Sequence, residues 1–581
     1  MDFLKKNTWK IINNYFDSYD KYLTKHHHDS FNDFILNKIP LTFKQYNPQI
    51  LYKEFNNETN QYKYEIHIYY GGKNSDKIKI GKPIIYKEEN GVEVKKQLYP
   101  NEARLRNLTY ASHLFCDLEI EYFIRDGDEL VLNRTFENIN IGKIPIMLQS
   151  QICVLNNMSF ETRKQMGECP YDQGGYFVID GQEKVIVSHE RKVENKLYIV
   201  ESNDNIYNYS AQIKSVPEES FKYARTTVVN MNRNNETITI RLPMLNKQIP
   251  LFLVFRLLGI ESDKQILKYI LYDLEGEKAK LFMEKLRPSL ENNLNIYTQN
   301  MAIKYLSLYS IGKTSSHLLN IISTDLFPHV GDNYINKAYF LGHVVNKLLH
   351  VSNGFMKPTD RDSFEFKRVD LSGFLLANLF RENFKQFQRD AKIAIDTEYR
   401  FNASEYQNEN YANIINQANL KKVFNPNVIE GAFNKSFKIG TILNKKGLIQ
   451  SLNRLSSVGA TSQLRRINTT GDMIMIGQRK LHSTQYGIIC PVETPDGGNI
   501  GIKKHLSIMG QITFGCSSKP IIEVLKEYNT IMLTELEPEE IYGNTKIIIN
   551  GRWIGIHFNP KELVMLLKLL RRNGLINVYT S

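Results

Sequence analysis

The chain has little cysteine: five residues in 581, at Cys116, Cys153, Cys169, Cys490 and Cys516, with no C-x-x-C pair among them. An odd, dispersed set excludes a disulfide framework and a clustered zinc site, and fits a reducing compartment. It also lacks any apolar run near the about 18 residues a membrane span needs, and no charged-then-apolar leader opens it, so the expectation is a chain neither membrane-spanning nor secreted. Internal repeats, low-complexity tracts and long linkers are missing too. Acids are outnumbered, 62 against 74 Lys and Arg, for a net charge of +12. That balance suits a polyanion partner, and equally a soluble basic protein.

At 581 residues, with 42% hydrophobic and 23% charged content, the chain exceeds the ~250–300 residues at which single cores stop growing, so several domains are expected. One stretch, from Gly447 to Met509, concentrates its chemistry. Lys445, Lys446, Arg454, Arg465, Arg466, Arg479 and Lys480 fall between Asn444 and His482, with Asp472 the single acid among them. Small residues separate the cations and few apolar positions demand burial. This suits a surface that tracks phosphates, and an ordinary solvated loop as well.

Elsewhere, Tyr62 to Tyr70 alternates as a strand turned by Gly71-Gly72, and Thr8 to Tyr22 has helical spacing. Arg104 and Arg106 flank Leu105 as solvent-facing residues of a β edge. His26-His27-His28, at a helix end without further ligands nearby, reads as solvated rather than metal-binding. Asp126-Gly127-Asp128 between two strand-like runs reads as a turn rather than a magnesium site. Asp180-Gly181 between Tyr176–Ile179 and Val185–Val187 is a hairpin signal with a primed turn, and Gly174-Gly175 permits positive φ ahead of it. Pro250 to Gly259 reads as a buried helix, Phe340 to Leu349 as an amphipathic one, and residues 402–418 as an exposed loop or ragged helix. Lys519 to Met532 and Ile547 to Phe558 look strand-like, the latter turning at Asn550-Gly551. Asn559-Pro560 then opens a helix with a stripe of Leu563, Leu566, Leu567 and Leu570 that ends at Gly574.

Several blocks resemble one family. Arg479-Lys480-Leu481-His482, Gly487 and Cys490-Pro491-Val492-Glu493-Thr494-Pro495-Asp496-Gly497-Gly498-Asn499-Ile500-Gly501 resemble the fork region of the second-largest subunit of multi-subunit DNA-directed RNA polymerases. One departure is Asp496, where the family usually has Glu. Ile141-Gly142 through Leu148, Cys169-Pro170 through Val187, Ile240-Arg241-Leu242-Pro243 with the 249–260 run, and Asp360-Arg361-Asp362 with Lys367-Arg368 and Gly373 resemble further family motifs. Arg361 and Arg368 read as a salt-bridged corner first and nucleic-acid contacts second.

The resemblance implies an α+β multidomain fold: a protrusion with an inserted lobe, then fork and external domains. The corresponding ranges are 1–203 and 376–434 for the protrusion, 204–375 for the lobe, 435–513 for the fork and 514–581 for incomplete external domains. It covers only the first half of such a subunit, implying a fragment or a subunit completed by another chain; the alternative is a stand-alone nucleic-acid-binding or regulatory fragment. By the same resemblance, Mg²⁺ belongs to the largest subunit, so no cofactor, catalytic residue or metal ligand is expected in this chain. Arg454, Arg465, Arg466, Arg479, Lys480 and His482 would lie near nucleic acid or nucleotide. Thr470 to Gln478 would form a separator loop, while Glu493, Asp496 and Asn499 support the turn, the carboxylates orienting arginines. Implied partners are the largest and other polymerase subunits, template DNA, the RNA–DNA hybrid and ribonucleoside triphosphates. The place would be the nucleus for a cellular source, and host cytoplasm or virion for a large DNA virus.

Overall fold

The alternation at Tyr62 becomes the strand Gln61–Tyr70, which buries Tyr64, Ile66, Ile68 and Tyr70 on one face. In the computed structural model, residues 2–17, 21–57, 60–89, 92–126, 128–202, 205–218, 223–292, 295–310, 312–402, 405–406, 408–443, 445–469 and 476–581 are described. The chain is α+β, dividing into two compact units, Met1–Arg191 with Arg368–Ile512, and Lys192–Lys367 with Thr513–Ser581.

In the first unit Gln61–Tyr70 lies between Gln49–Asn56 and the long strand Ala111–Asp126, which pairs in turn with Ile78–Ile80 and Asp128–Pro145. Asp126 and Asp128 face each other at the end of that hairpin, and Gly127 lies outside the described residues. The 30-residue helix Ser372–Phe401 supplies Phe380, Phe384 and Phe387 at helical spacing, and their rings pack with Phe43 and Tyr70. Its start approaches the helix Lys25–Asp33 so closely that a Cβ on Gly373 would lie 1.8 Å from the Ser30 carbonyl oxygen, so only glycine fits.

The histidine tract departs from expectation. His26, His27 and His28 are buried at 7%, 0% and 6% exposure. The Nε2 atoms of His26 and His27 donate to the Leu464 carbonyl (3.3 and 2.7 Å), and that of His28 to Gln173 (2.8 Å). They are pins, not solvated side chains. Residues 99–110 also differ: Pro100 at the first turn starts a helix, Pro100–Leu105, in place of a β edge. Leu105 is exposed while Arg104 is drawn inward, bonding Glu168 (2.8 Å), Glu183 (2.9 Å) and the Tyr176 hydroxyl (2.9 Å). Within 402–418, the 3₁₀ segment Asn408–Ile414 buries Tyr411 and Ile414 rather than lying exposed. The hairpin Phe177–Ile179 with Gln182–Ile186 turns through Asp180 and Gly181 at φ 47° and 77°, the primed turn that Asp-Gly favours.

In the second unit a five-stranded antiparallel sheet runs in chain order, Leu197–Glu201, Tyr207–Ser215, Arg225–Asn232, Ile238–Arg241 and Gln248–Pro250. The helix Leu251–Leu257 follows and is buried at every position, including Arg256, which bonds Asp263 at 2.6 Å. Tyr334–Ser352 is buried nearly all round rather than amphipathic, because helices and the sheet both pack on it. Lys519–Glu527 is a helix rather than a strand, followed by the short strand Ile531–Met532. Thr545–Ile549 and Arg552–His557 form the hairpin turned by Asn550-Gly551, and the helix Pro560–Arg572 shields Leu563 best, with Leu566, Leu567 and Leu570 half-buried.

Candidate nucleic-acid interface

The segment 447–509 folds into the first unit through strands that join distant parts of the chain. Ser456 caps the helix Ser457–Leu464 by accepting from the Gly459 amide (2.9 Å). Arg466–Thr469 runs parallel to Ser188–Lys192 and antiparallel to Lys503–His505. Beneath the sheet, Lys504 pairs with Glu190 at 2.9 Å, both buried. The Pro491–Gly501 loop closes on itself. Thr494 donates to the Lys503 carbonyl (3.0 Å) and accepts from the Gly501 amide (2.9 Å), and a Cβ on Gly501 would meet the Arg479 carbonyl oxygen at 2.3 Å.

These contacts divide the expected basic residues by task. Arg454 bonds Glu183 (2.7 Å) and Asp172 (3.0 Å) and lies 4.9 Å from the Tyr176 ring centroid. Partial burial opposes its charge, but Glu183, Tyr176 and Asp172 hold its pKa above the ordinary arginine value. Arg465 is buried and donates to the carbonyls of Leu23 (3.0 Å) and Ser507 (2.6 Å). Arg479 donates to the Gly498 (2.8 Å) and Ile500 (3.1 Å) carbonyls, clasping the turn. His482 accepts from the Thr484 amide (3.2 Å) and caps a short 3₁₀ turn. Lys480 stands exposed. Glu183 and Lys184, on the second strand of the hairpin rather than at its tip, are engaged within the unit, Lys184 donating to the Ser451 hydroxyl at 2.9 Å.

Arg466 goes elsewhere. With Ser462, Glu493, Thr494, Pro495, Lys503 and His505 it lines an open cavity of about 290 Å³. Glu493 accepts from Ser462 (2.5 Å) and meets His505 Nδ1 at 3.2 Å, so its bonded partners are a hydroxyl and an imidazole rather than an arginine. Burial pushes His505 below the ordinary imidazole value, against the pull of Glu493 and with that of Arg466. Asp496 and Asn499 are exposed on the turn Gly497–Asn499 and its approach. Thr470 to Met475 of the expected separator lie outside the described residues. No local pattern in the sequence marks Ser462, Lys503 and His505: strand register brings Lys503 and His505 to Arg466, and Ser462 comes from the helix Ser457–Leu464 just before it. Among the described residues, no group of three or more His, Cys, Asp or Glu is placed to hold a metal, and no helix is long and apolar enough to cross a membrane.

Comparison of the sequence with known proteins gives the family of this chain. The family model described as RNA polymerase beta subunit matches residues 22–420, and that for RNA polymerase Rpb2, domain 3, matches residues 450–512. The chain belongs to this family, and it corresponds to an N-terminal half of the second-largest subunit. It is 34% identical to DNA-directed RNA polymerase II subunit RPB2 of Encephalitozoon cuniculi, over 98% of this chain and 49% of that protein. It is 33% identical to DNA-directed RNA polymerase II subunit 2 of Arabidopsis thaliana, over 99% and 49%. With the subunit Rpo2N of Methanothermobacter thermautotrophicus (strain Winter) it shares 30% identity over 91% of this chain and all of the relative. The chain thus spans about half the length of the first two relatives.

Proposed function

We propose that this chain takes part in DNA-templated RNA synthesis as a polymerase subunit, its fork segment lining the nucleic-acid channel. The observation that carries the reading is the cavity in which Arg466, Lys503 and His505 converge with one carboxylate, Glu493. Arg466 and Lys503 supply charge-assisted donors to one cavity, and Lys480 adds an exposed cation nearby in sequence. Arg454, Arg465 and Arg479 act one step back, holding the hairpin, the N-terminal segment and the Pro491–Gly501 turn in place. Glu493 fixes Ser462 and His505, leaving the two cations to the ligand.

Phosphoryl transfer of this kind is positioning plus electrostatic stabilisation. Mg²⁺ would be held by the largest subunit and supply charge neutralisation there; this chain's residues bind and orient the nucleic acid. Its partners on this reading are the largest and other polymerase subunits, template DNA, the RNA–DNA hybrid and ribonucleoside triphosphates. The protrusion, lobe, fork and external-domain assignment belongs to the same reading. RNA polymerase II relatives favour a nuclear place. In a reconstituted polymerase, Arg466→Ala should slow elongation and lower the salt slope of template binding by about 0.9. Unchanged elongation and an unchanged slope would remove the cavity from the channel.

A further inference from the structure

Lys546 lies in the second unit on the strand Thr545–Ile549. Its half-buried side chain places Nζ 4.0 Å from the Tyr272 ring centroid, 4.9 Å from that of Trp553 and 3.3 Å from His343 Nδ1. Tyr272 caps the helix Asp263–Leu271, Trp553 stands on the paired strand, and His343, Lys347 and His350 come from the helix Tyr334–Ser352. None of these is an acid, and no carboxylate of the described residues forms an ion pair with Lys546. Burial, then repulsion from Lys347, brings the amine down to about 7, although the ring faces favour the ammonium. Burial also keeps His343 well below the ordinary imidazole range, so it stays neutral beside the amine.

Two other lysines show why this one differs. Lys337, pushed down to about 8 by burial, is fully enclosed and donates to the carbonyls of Ile322 and Ser323 at 2.6 Å each. Its nitrogen is committed to a helix end. Lys192 also falls to about 8 by burial, but a carboxylate, Asp362, acts on it and favours its charged form. Only Lys546 among the three combines partial exposure, a neutral imidazole neighbour and no carboxylate of the described residues acting on it.

We propose that Lys546 is an acylation site, its amine taking an acyl group from a small activated donor, an acyl phosphate or acyl thioester. The Nζ lone pair attacks the acyl carbon and the C–N bond forms. The C–O or C–S bond breaks, and phosphate or thiolate leaves with its electron pair. The Nζ proton passes to solvent water, and the departing phosphate or thiolate is protonated from solvent. The neutral amide removes the repulsion with Lys347. His343 Nδ1, 3.3 Å from Nζ, acts here as a positioning residue.

The test is competitive labelling of the full chain with acetyl phosphate between pH 6 and 10, read lysine by lysine by peptide mass spectrometry. At pH 7 Lys546 should label roughly tenfold faster than exposed lysines such as Lys480, with a rate midpoint near 7. Lys347→Gln should move that midpoint upward and slow labelling at pH 7, while Lys337 stays unlabelled. A Lys546 rate at or below that of exposed lysines, or a midpoint matching theirs, overturns the proposal. Since the wild-type chain supplies the primary readout, the outcome does not depend on a variant folding.

Discussion

Lys504 Nζ and Glu190 Oε2 meet at 2.9 Å across 314 residues of sequence, both buried, where Ser188–Lys192, Arg466–Thr469 and Lys503–His505 share one sheet. The pair fastens the segment 447–509 to the strand that follows the Asp180–Gly181 hairpin. Removing one partner leaves a buried charge without its counterion, which typically costs about 3–5 kcal/mol. Lys504→Met should therefore lower the stability of the first unit by that order, and Lys504→Met with Glu190→Leu should recover most of it. Urea unfolding followed by a probe in that unit checks both; equal losses in the single and double variants would contradict the pairing.

The histidine pins make a pH prediction. His27 is fully buried and its pKa falls from the ordinary 6.5 to about 4, through burial. Its folded value lies below its unfolded one, so the unfolded chain takes up the proton first. Stability is whole above about pH 6.5 and declines as pH falls toward 4, by about 3 kcal/mol for this group. His27→Gln should flatten that part of the profile. A wild-type denaturation midpoint unchanged between pH 7 and 4.5 would contradict the burial.

Arg454 and Lys480 should separate structure from binding. Arg454→Ala breaks the bonds to Glu183 and Asp172 and should cost about 1–3 kcal/mol, discounted because the side chain is 45% exposed, with little change in the salt slope of nucleic-acid binding. Lys480→Ala should do the reverse, leaving stability within about 0.5 kcal/mol and lowering the slope. Thermal unfolding and salt titration of template binding, run on both variants, read the difference.

Local chemistry made much of the fold legible. Asp180-Gly181, Asn550-Gly551 and Asn559-Pro560 act through their own φ preferences, so their turns and helix start stand where they were read. The Leu563 stripe followed from period alone. Arg104 was misread because Pro100 starts a helix where alternation suggested a strand. His26, His27 and His28 were misread because their partners, Leu464 and Gln173, lie far off in sequence. The basic residues between Asn444 and His482 were visible as a group, but which of them bind carboxylates, carbonyls or a cavity depends on Glu183, Leu23, Ser507 and Lys503, and no spacing discloses that. Asp496, marked by its shorter side chain, sits exposed on the turn that Arg479 and Thr494 hold.

The central claim is that the fork segment faces nucleic acid. A photo-crosslinking residue placed at Lys480 in an assembled elongation complex tests it, with a second placed at the exposed Lys446 and a control at Lys268, which pairs with Glu539 in the second unit. Adducts to radiolabelled template or transcript at position 480, and none at 268, are predicted. Adducts to protein alone at 480, in a complex that still elongates, would contradict it.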